Sequence, residues 1–284
     1  MNTFYKSLRT SSGSGSKVKT DPSVLQCMSI CGVTYFSAVT AMVMLTSVFY
    51  TMPIVYNDSS GVFWLRIAAA VYIFAGIITN FTMLSVHNSY LPADGTGVLP
   101  GPDWTHCTPC DRHVPPRTHH CILCQRCILW RDHHCFFTGS CIGIMNQRYF
   151  VLFCICCAVG SAYSVYVNAV FLSMSYSSSL YDFIFPLTVL GWLFGFQTFG
   201  FLYVVALVYV SVLTMCGSTG VAVWQLLLIA KGQTSFEYLE GRGKKSLGIM
   251  RNIRIVFGPY WLLKFFFPFP IDDHLSWWNL SKLV

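Results

Sequence analysis

The sequence predicts an all-α polytopic membrane protein with four transmembrane helices and a cysteine- and histidine-rich module between the second and third spans. Three observations point there. Of the 284 residues, 54% are hydrophobic and only 10% are charged, against about 25% charged in an ordinary soluble domain. Long apolar runs alternate with short polar segments. Seven of the 13 cysteines and six of the eight histidines crowd between His106 and Cys141.

Residues 1–27 read as a short flexible tail: polar, Ser/Gly-rich and basic through Asp21, with none of the apolar core of a signal peptide. Apolar runs follow at about 28–52, 62–86 and 149–173, each long enough to cross a hydrocarbon core of roughly 30 Å. Spans one and two thus fall within 28–86, the module within 87–148, and the remaining apolar region within 149–230. From Phe183 to Ala230 there is no charged residue, and one helix of that length would measure roughly 70 Å at 1.5 Å per residue. This is too long for one simple crossing. The region reads as two crossings, or as one crossing plus a re-entrant or interfacial piece broken near Pro186, Gly191, Gly195 or Gly200.

Charge decides between these, because loops rich in Lys and Arg stay in the cytosol. The tail carries Lys6, Arg9, Lys17 and Lys19, the segment before span three carries five Arg through Arg148, and residues 231–284 carry eight Lys or Arg. The loops near 57–61 and 174–182 carry none. All three basic segments share the cytosol only if 183–230 makes one net crossing, which gives four spans, an irregular approach to the fourth and a cytosolic C-terminal region. Arg66, one turn into span two, reads as a side chain snorkelling to the outer interface. Asn57-Asp58-Ser59 matches a glycosylation site held too near the bilayer for use. Arg254 to Pro270, with five aromatic residues around Arg254 and Lys264, reads either as an amphipathic segment on the cytosolic surface or as a helix packed on the module. The net charge of +7 does not suggest nucleic acid, because the basic residues are few and lie between apolar runs.

The module runs Cys107-x2-Cys110-x9-His120-Cys121-x2-Cys124-x2-Cys127-x4-Asp132-His133-His134-Cys135-x5-Cys141. Cysteines at two-residue gaps mixed with histidines are the ligand pattern of structural zinc, which is tetrahedral and takes thiolate and imidazole. Two ions need eight ligands, so one solution is two sites of three cysteines and one histidine, with one cysteine spare. The spare is most economically Cys135, since a nucleophilic cysteine needs a base within reach and Asp132 with His133 supplies an oriented imidazole. The alternative, Cys135 as a ligand and another cysteine free, stays open at this level. His106, His113 and His119 read as solvated loop histidines, and Cys154, Cys156 and Cys157 as buried apolar side chains. Cys27 and Cys31 are candidates for acylation.

Asp132-His133-His134-Cys135 within this spacing resembles the DHHC family of protein S-acyltransferases, or palmitoyltransferases. The similarity extends through Pro115-Pro116-Arg117-Thr118-His119-His120-Cys121, Cys141-Ile142-Gly143 with Asn146 and Phe150, Thr234-Ser235-Phe236-Glu237, and Asn252 with Phe257-Gly258. Ser140 and Val114 depart from the family pattern. The resemblance implies four spans with a cytosolic two-zinc module, one zinc on Cys107, Cys110, His120 and Cys127 and the other on Cys121, Cys124, His134 and Cys141. It further implies transfer of a long-chain acyl group from acyl-CoA to Cys135, with His133 as general base and Asp132 orienting it. A cysteine of a membrane-proximal substrate protein would then accept the chain, in the Golgi or endoplasmic reticulum membrane. A cavity ending under Cys135 would hold the chain, past the small residues Gly160, Ser161 and Ala162. The rival readings, a membrane-anchored zinc adaptor and a transporter, lack respectively a closing C-x2-C pair and paired intramembrane charges.

Overall fold

The computed structural model describes residues 22–56, 61–92, 101–176, 180–242 and 246–266. The tail before residue 22, the Asn57-Asp58-Ser59 site, Pro268, Pro270 and His274 lie outside them.

Among the described residues, four helices are long and apolar enough to cross a membrane. Span one begins as α1 (Pro22–Thr46) and passes through a widened π turn at Ser47–Thr51 into α2 (Met52–Val55). The wide turn immediately precedes Pro53, whose ring clashes with a regular i−4 carbonyl and which has no N–H to donate. Span two is α3 (Gly61–Val86), span three is α4 (Gln147–Ser175) and span four is α6 (Phe199–Lys231). Spans three and four form the most extensive helix pair, with span two against span three.

The irregular approach to span four is present. A 3₁₀ turn (Leu180–Phe183) leads into α5 (Phe185–Leu193), which has Pro186 in its first turn and Thr188 donating its hydroxyl to the Asp182 carbonyl. Nine residues reach only about 14 Å, well short of a crossing. The chain turns at Gly195, whose φ of +78° is open to glycine at little cost. Thr198 then caps α6 by accepting from the Phe201 N–H. Of the four expected break points, Gly195 makes the turn and Gly191 and Gly200 stay helical. Arg66 stacks over Tyr56 at 3.6 Å, at the end of the molecule away from the module.

Among the described residues the module contains three two-stranded antiparallel hairpins: β1 (Thr105–Cys107) with β2 (Arg112–Val114), β3 (His119–Cys121) with β4 (Arg126–Ile128), and β5 (His133–Cys135) with β6 (Ser140–Ile142). Their strands are too short to be stable alone, so other bonds must hold them. Asn146 supplies several: its Oδ1 accepts from Gly143 N and Ser89 Oγ, and its Nδ2 donates to the carbonyls of Leu84 and Cys141. It thereby ties the end of span two to hairpin three and the start of span three. Gly143 has no room for a side chain, since a Cβ would sit 2.4 Å from the Leu129 carbonyl oxygen.

Beyond span four, α7 (Ser235–Leu239) starts with a capping box between Thr234 and Glu237. Next, α8 (Ile249–Phe257) buries Asn252, and it buries Val256 and Phe257 in a cluster shared with Cys107, Val114, Cys127 and Ile229. This helix therefore packs on the module and the end of span four. Arg251, Arg254, Ile249 and Met250 face outward. A short α9 (Trp261–Phe266) follows.

Candidate metal centres and active site

Cys107, Cys110, His120 and Cys127 come together in one group and Cys121, Cys124, His134 and Cys141 in another, each with its ligand atoms within 4.8 Å of one another. No other described residues form such a group of three or more. The donor chemistry, three thiols and one imidazole each, fits structural Zn²⁺. Strand register makes the groups. His120 faces Cys127 across hairpin two, and His134 faces Cys141 across hairpin three. Each of these base pairs meets the C-x2-C tip of the preceding hairpin, so the sites interleave and hairpin two is shared. The Nε2 of His134 lies 3.3 Å from Ser29 Oγ of span one, while its Nδ1 faces Cys124 at 3.3 Å. Such an outer partner fixes which nitrogen is free for the metal.

The register exposes a signal that the motif reading missed. Cys107, Cys121 and Cys135 recur every 14 residues, as do His106, His120 and His134. In the third unit the tip is Cys135-x2-Thr138, so a threonine stands where the second tip cysteine would be, and among the described residues no fourth hairpin brings a base pair to it. Cys135 lies outside both groups. Thr138 Oγ1 donates to the Cys135 carbonyl at 3.3 Å.

Cys135 is buried beside His133, whose charge bears on its thiol and whose Nδ1 lies 2.7 Å from Asp132 Oδ2. Two further donors hold the carboxylate: the Gln225 Nε2 donates to Oδ2 at 2.7 Å and the Ser235 N–H donates to Oδ1 at 2.6 Å. Burial pushes the Cys135 thiol up, but the hydrogen bond and charge of His133 outweigh it and hold the thiol below its ordinary range. Burial likewise opposes charge on His133, yet bonds to Asp132 and Cys135 raise it to about 10. For Asp132, burial favours the neutral acid and the surrounding donors reverse this. The arrangement favours a thiolate beside an imidazolium.

The second half of the site comes from long-range contacts. Arg117 grips Glu237 of α7 with two bonds of 2.6 and 2.8 Å and stacks on Trp130 at 3.8 Å. Both Arg117 and Trp130 hold left-handed backbones, with φ of 64° and 45°, conformations that persist only where surrounding contacts impose them. Gly32 of span one packs its bare backbone on the loop after Cys135, where a Cβ would lie 2.6 Å from the Phe136 carbonyl oxygen. His119 departs from its expected solvated state: it stacks on Phe236 at 4.3 Å, and burial with nearby Arg242 and Arg131 pushes it down to about 4. His106 and His113 are exposed as expected, and Cys154 and Cys157 are buried. Cys27 and Cys31 are exposed.

The model of the DHHC palmitoyltransferase family matches residues 102–242. Probable palmitoyltransferase ZDHHC24 of Rattus norvegicus is 31% identical over 222 residues, 72% of this chain and 74% of the relative. The chain belongs to the DHHC palmitoyltransferases. Palmitoyltransferase ZDHHC22 of Homo sapiens is 29% identical over 255 residues, covering 86% of this chain and 94% of that protein. The Danio rerio ZDHHC22 is 33% identical over 135 residues, and there the match spans only about half of either chain, 45% and 49%. As a DHHC protein, the chain uses its Thr-Ser-x-Glu stretch twice: Ser235 touches Asp132, and Glu237 touches Arg117. Asn252 closes the C-terminal element by donating to the Ala230 carbonyl at 2.9 Å.

Proposed function

We propose that the chain is a protein S-acyltransferase that works by two thioester exchanges at Cys135. The observation that carries this reading is a buried cysteine beside an Asp-His pair, outside two complete sets of metal ligands. The Cys135 thiolate attacks the carbonyl carbon of a long-chain acyl-CoA, forming a C–S bond as the CoA thiolate leaves and takes a proton from the His133 imidazolium. In the second exchange His133 accepts the proton of a substrate cysteine, whose sulfur takes the acyl group and releases the Cys135 thiolate. Asp132 keeps the imidazole in one tautomer and balances its charge. A thioester is broken and made in each step, so the catalytic task is mainly proton control and positioning.

A largely apolar cavity between the four spans, lined by Phe36, Val43, Ile73, Gly160 and Ser211, supports the long-chain donor. Ile77 and Cys157 line it and share a hydrophobic cluster with Cys135. From Cys154 to Ser164 span three descends about 15 Å, and each CH2 of the chain kept from water gains roughly 0.8 kcal/mol. The Arg residues around Phe236, Arg131 and Arg242, could meet the CoA phosphates. The two cysteine and histidine groups would hold two structural zinc ions through the ligands named above. This reading places the module and both ends of the chain in the cytosol, where 17 of the 18 basic residues lie if Arg66 alone is outside. The substrates would be membrane-proximal protein cysteines, and the membrane that of the Golgi or endoplasmic reticulum.

The test is incubation of purified protein with labelled palmitoyl-CoA, then hydroxylamine. Label that is bound covalently and released by hydroxylamine is expected. Protein that holds two zinc ions yet takes no such label would overturn the acyl-enzyme.

A further inference from the structure

Gln225 lies in span four, 93 residues from Asp132 in sequence, yet its side chain ends on the Asp132 carboxylate. It is 1% exposed. Its amide is used completely: one Nε2 hydrogen goes to Asp132 Oδ2 at 2.7 Å, the other to Ser235 Oγ at 3.1 Å, and Oε1 accepts from Gln147 Nε2 at 3.0 Å. The opposite amide orientation would set a carbonyl oxygen against a carboxylate oxygen, so the charge of Asp132 itself fixes which end faces it. The Ser235 N–H, held by the capped start of α7, binds the other carboxylate oxygen at 2.6 Å.

We propose that Gln225 is a positioning residue for acyl transfer, acting on His133 and Cys135 only through Asp132. A carboxylate with a single partner can turn about its terminal bond. One clamped on Oδ1 by a backbone N–H and on Oδ2 by an amide cannot, so its remaining lone pair stays aimed at His133 Nδ1. The opposite imidazole edge then faces Cys135. Gln147, the first residue of span three, steadies Gln225 in turn, so the line from Gln147 through Gln225, Asp132 and His133 to Cys135 joins two spans to one thiol. The membrane bundle thus aligns a side-chain system that hairpin three alone would leave loose. A buried polar chain of this kind is worth most when every member is satisfied, as each amide hydrogen of Gln225 is here.

The proposal rests on Cys135, His133 and Asp132 acting as described above, and the experiment separates the two. Single-turnover acyl-enzyme formation from palmitoyl-CoA would be measured for the full chain and for Gln225→Met, Asp132→Asn, the double variant and Cys135→Ser, each with zinc analysis. Methionine keeps the length and volume and removes the donor. Gln225→Met is expected to keep two zinc ions and the wild-type half-saturating acyl-CoA concentration, while the maximal rate falls on the order of tenfold. The double variant should be no slower than Asp132→Asn, because the two act through one group. A wild-type maximal rate in Gln225→Met, or a double variant slowed by the product of the single effects, would overturn the proposal. Should Gln225→Met lose zinc, Gln147→Met takes its place, with a roughly threefold fall expected and an unchanged rate overturning the idea. Full labelling of Cys135→Ser would instead remove the nucleophile reading beneath it.

Discussion

Hairpins two and three share a layout yet suit opposite uses. In both, a histidine opposes a cysteine at the base, His120 with Cys127 and His134 with Cys141, and in both a cysteine begins the tip. The Cys121 tip has Cys124 three residues on, and the base pair of hairpin three closes over it to complete four ligands. The Cys135 tip has Thr138 at that place and no following hairpin. Its neighbours are His133, with Asp132 behind it, and the apolar ends of spans two and three. The same local fold that gives a thiolate to a metal can leave one available for chemistry once the second tip cysteine and the next hairpin's pair are missing. Hairpin three keeps its own base ligands, so the proposed nucleophile is braced by the metal site beside it without belonging to it.

The largest contrast is expected on metal loss. Cys124→Ala or Cys127→Ala should lower zinc below two per chain and cause aggregation, because structural sites of this kind contribute roughly 10–16 kcal/mol of apparent binding energy to folding. Metal analysis and size-exclusion profiles check this, and Thr138→Ala should keep both ions. A Cys124→Ala protein that stays monomeric with two zinc ions would remove the distinction between the hairpins.

Next in size is His133→Ala, which should retain zinc and lose a factor on the order of 10² to 10⁴ in acyl-enzyme formation. The pH dependence has a definite sign. His133 does most to hold the Cys135 thiol below its ordinary range; without it burial, the largest single influence, pushes the thiol up against only the weaker pull of Thr138. The variant rate should therefore climb with pH through and above about 8.5, where the wild-type rate is level. A flat profile in the variant would separate His133 from the thiolate.

Glu237→Gln should act at lower magnitude and on a different quantity. It breaks an ion pair whose side chains are about 10% and 9% exposed, leaves Arg117 buried without its partner and weakens the start of α7. Roughly 3 kcal/mol of stability is expected to go, read as a lower melting temperature with zinc content kept at room temperature. Unchanged melting would show that the module is held to span four by other contacts.

Gly160→Trp is the smallest. Gly160 faces the cavity, with Ile73 Cγ2 3.1 Å from where a Cβ would stand, so a bulky side chain should shorten the preferred acyl chain while total activity changes little. An unchanged acyl profile in an active variant would mean that the glycine serves only close packing of spans two and three.

How much of this was legible in sequence follows from the range of each interaction. That there are two thiolate and imidazole groups was readable because the spacing of Cys107, Cys110, Cys121 and Cys124 is local and the chemistry is specific, while the membership of each group came only from the family resemblance. The four spans were readable because bilayer thickness sets helix length. The helices of spans two and three, Gly61–Val86 and Gln147–Ser175, lie within two residues of 62–86 and 149–173, whereas span one starts earlier, at Pro22, and charge counting alone selected one crossing for 183–230. What stayed hidden acts at long range through ordinary residues. Gln225 in an apolar run resembles any tolerated polar residue, Gly32 any small one, and His119 any loop histidine until Phe236 of α7 is seen beside it. The 14-residue recurrence that sets Thr138 against Cys124 was present in the letters, but a motif search aligned on cysteines passes over the position where a cysteine is missing.

The central claim is that Cys135 is a free thiol in a module whose other six cysteines are ligands. One measurement addresses it: zinc content and hydroxylamine-sensitive palmitoyl label determined on the same preparation of Cys135→Ser. The account predicts two zinc ions per chain, as in the wild type, and no label. Loss of zinc would make Cys135 a ligand, and label at the wild-type level with zinc intact would put the acyl group on another residue; either result contradicts the account.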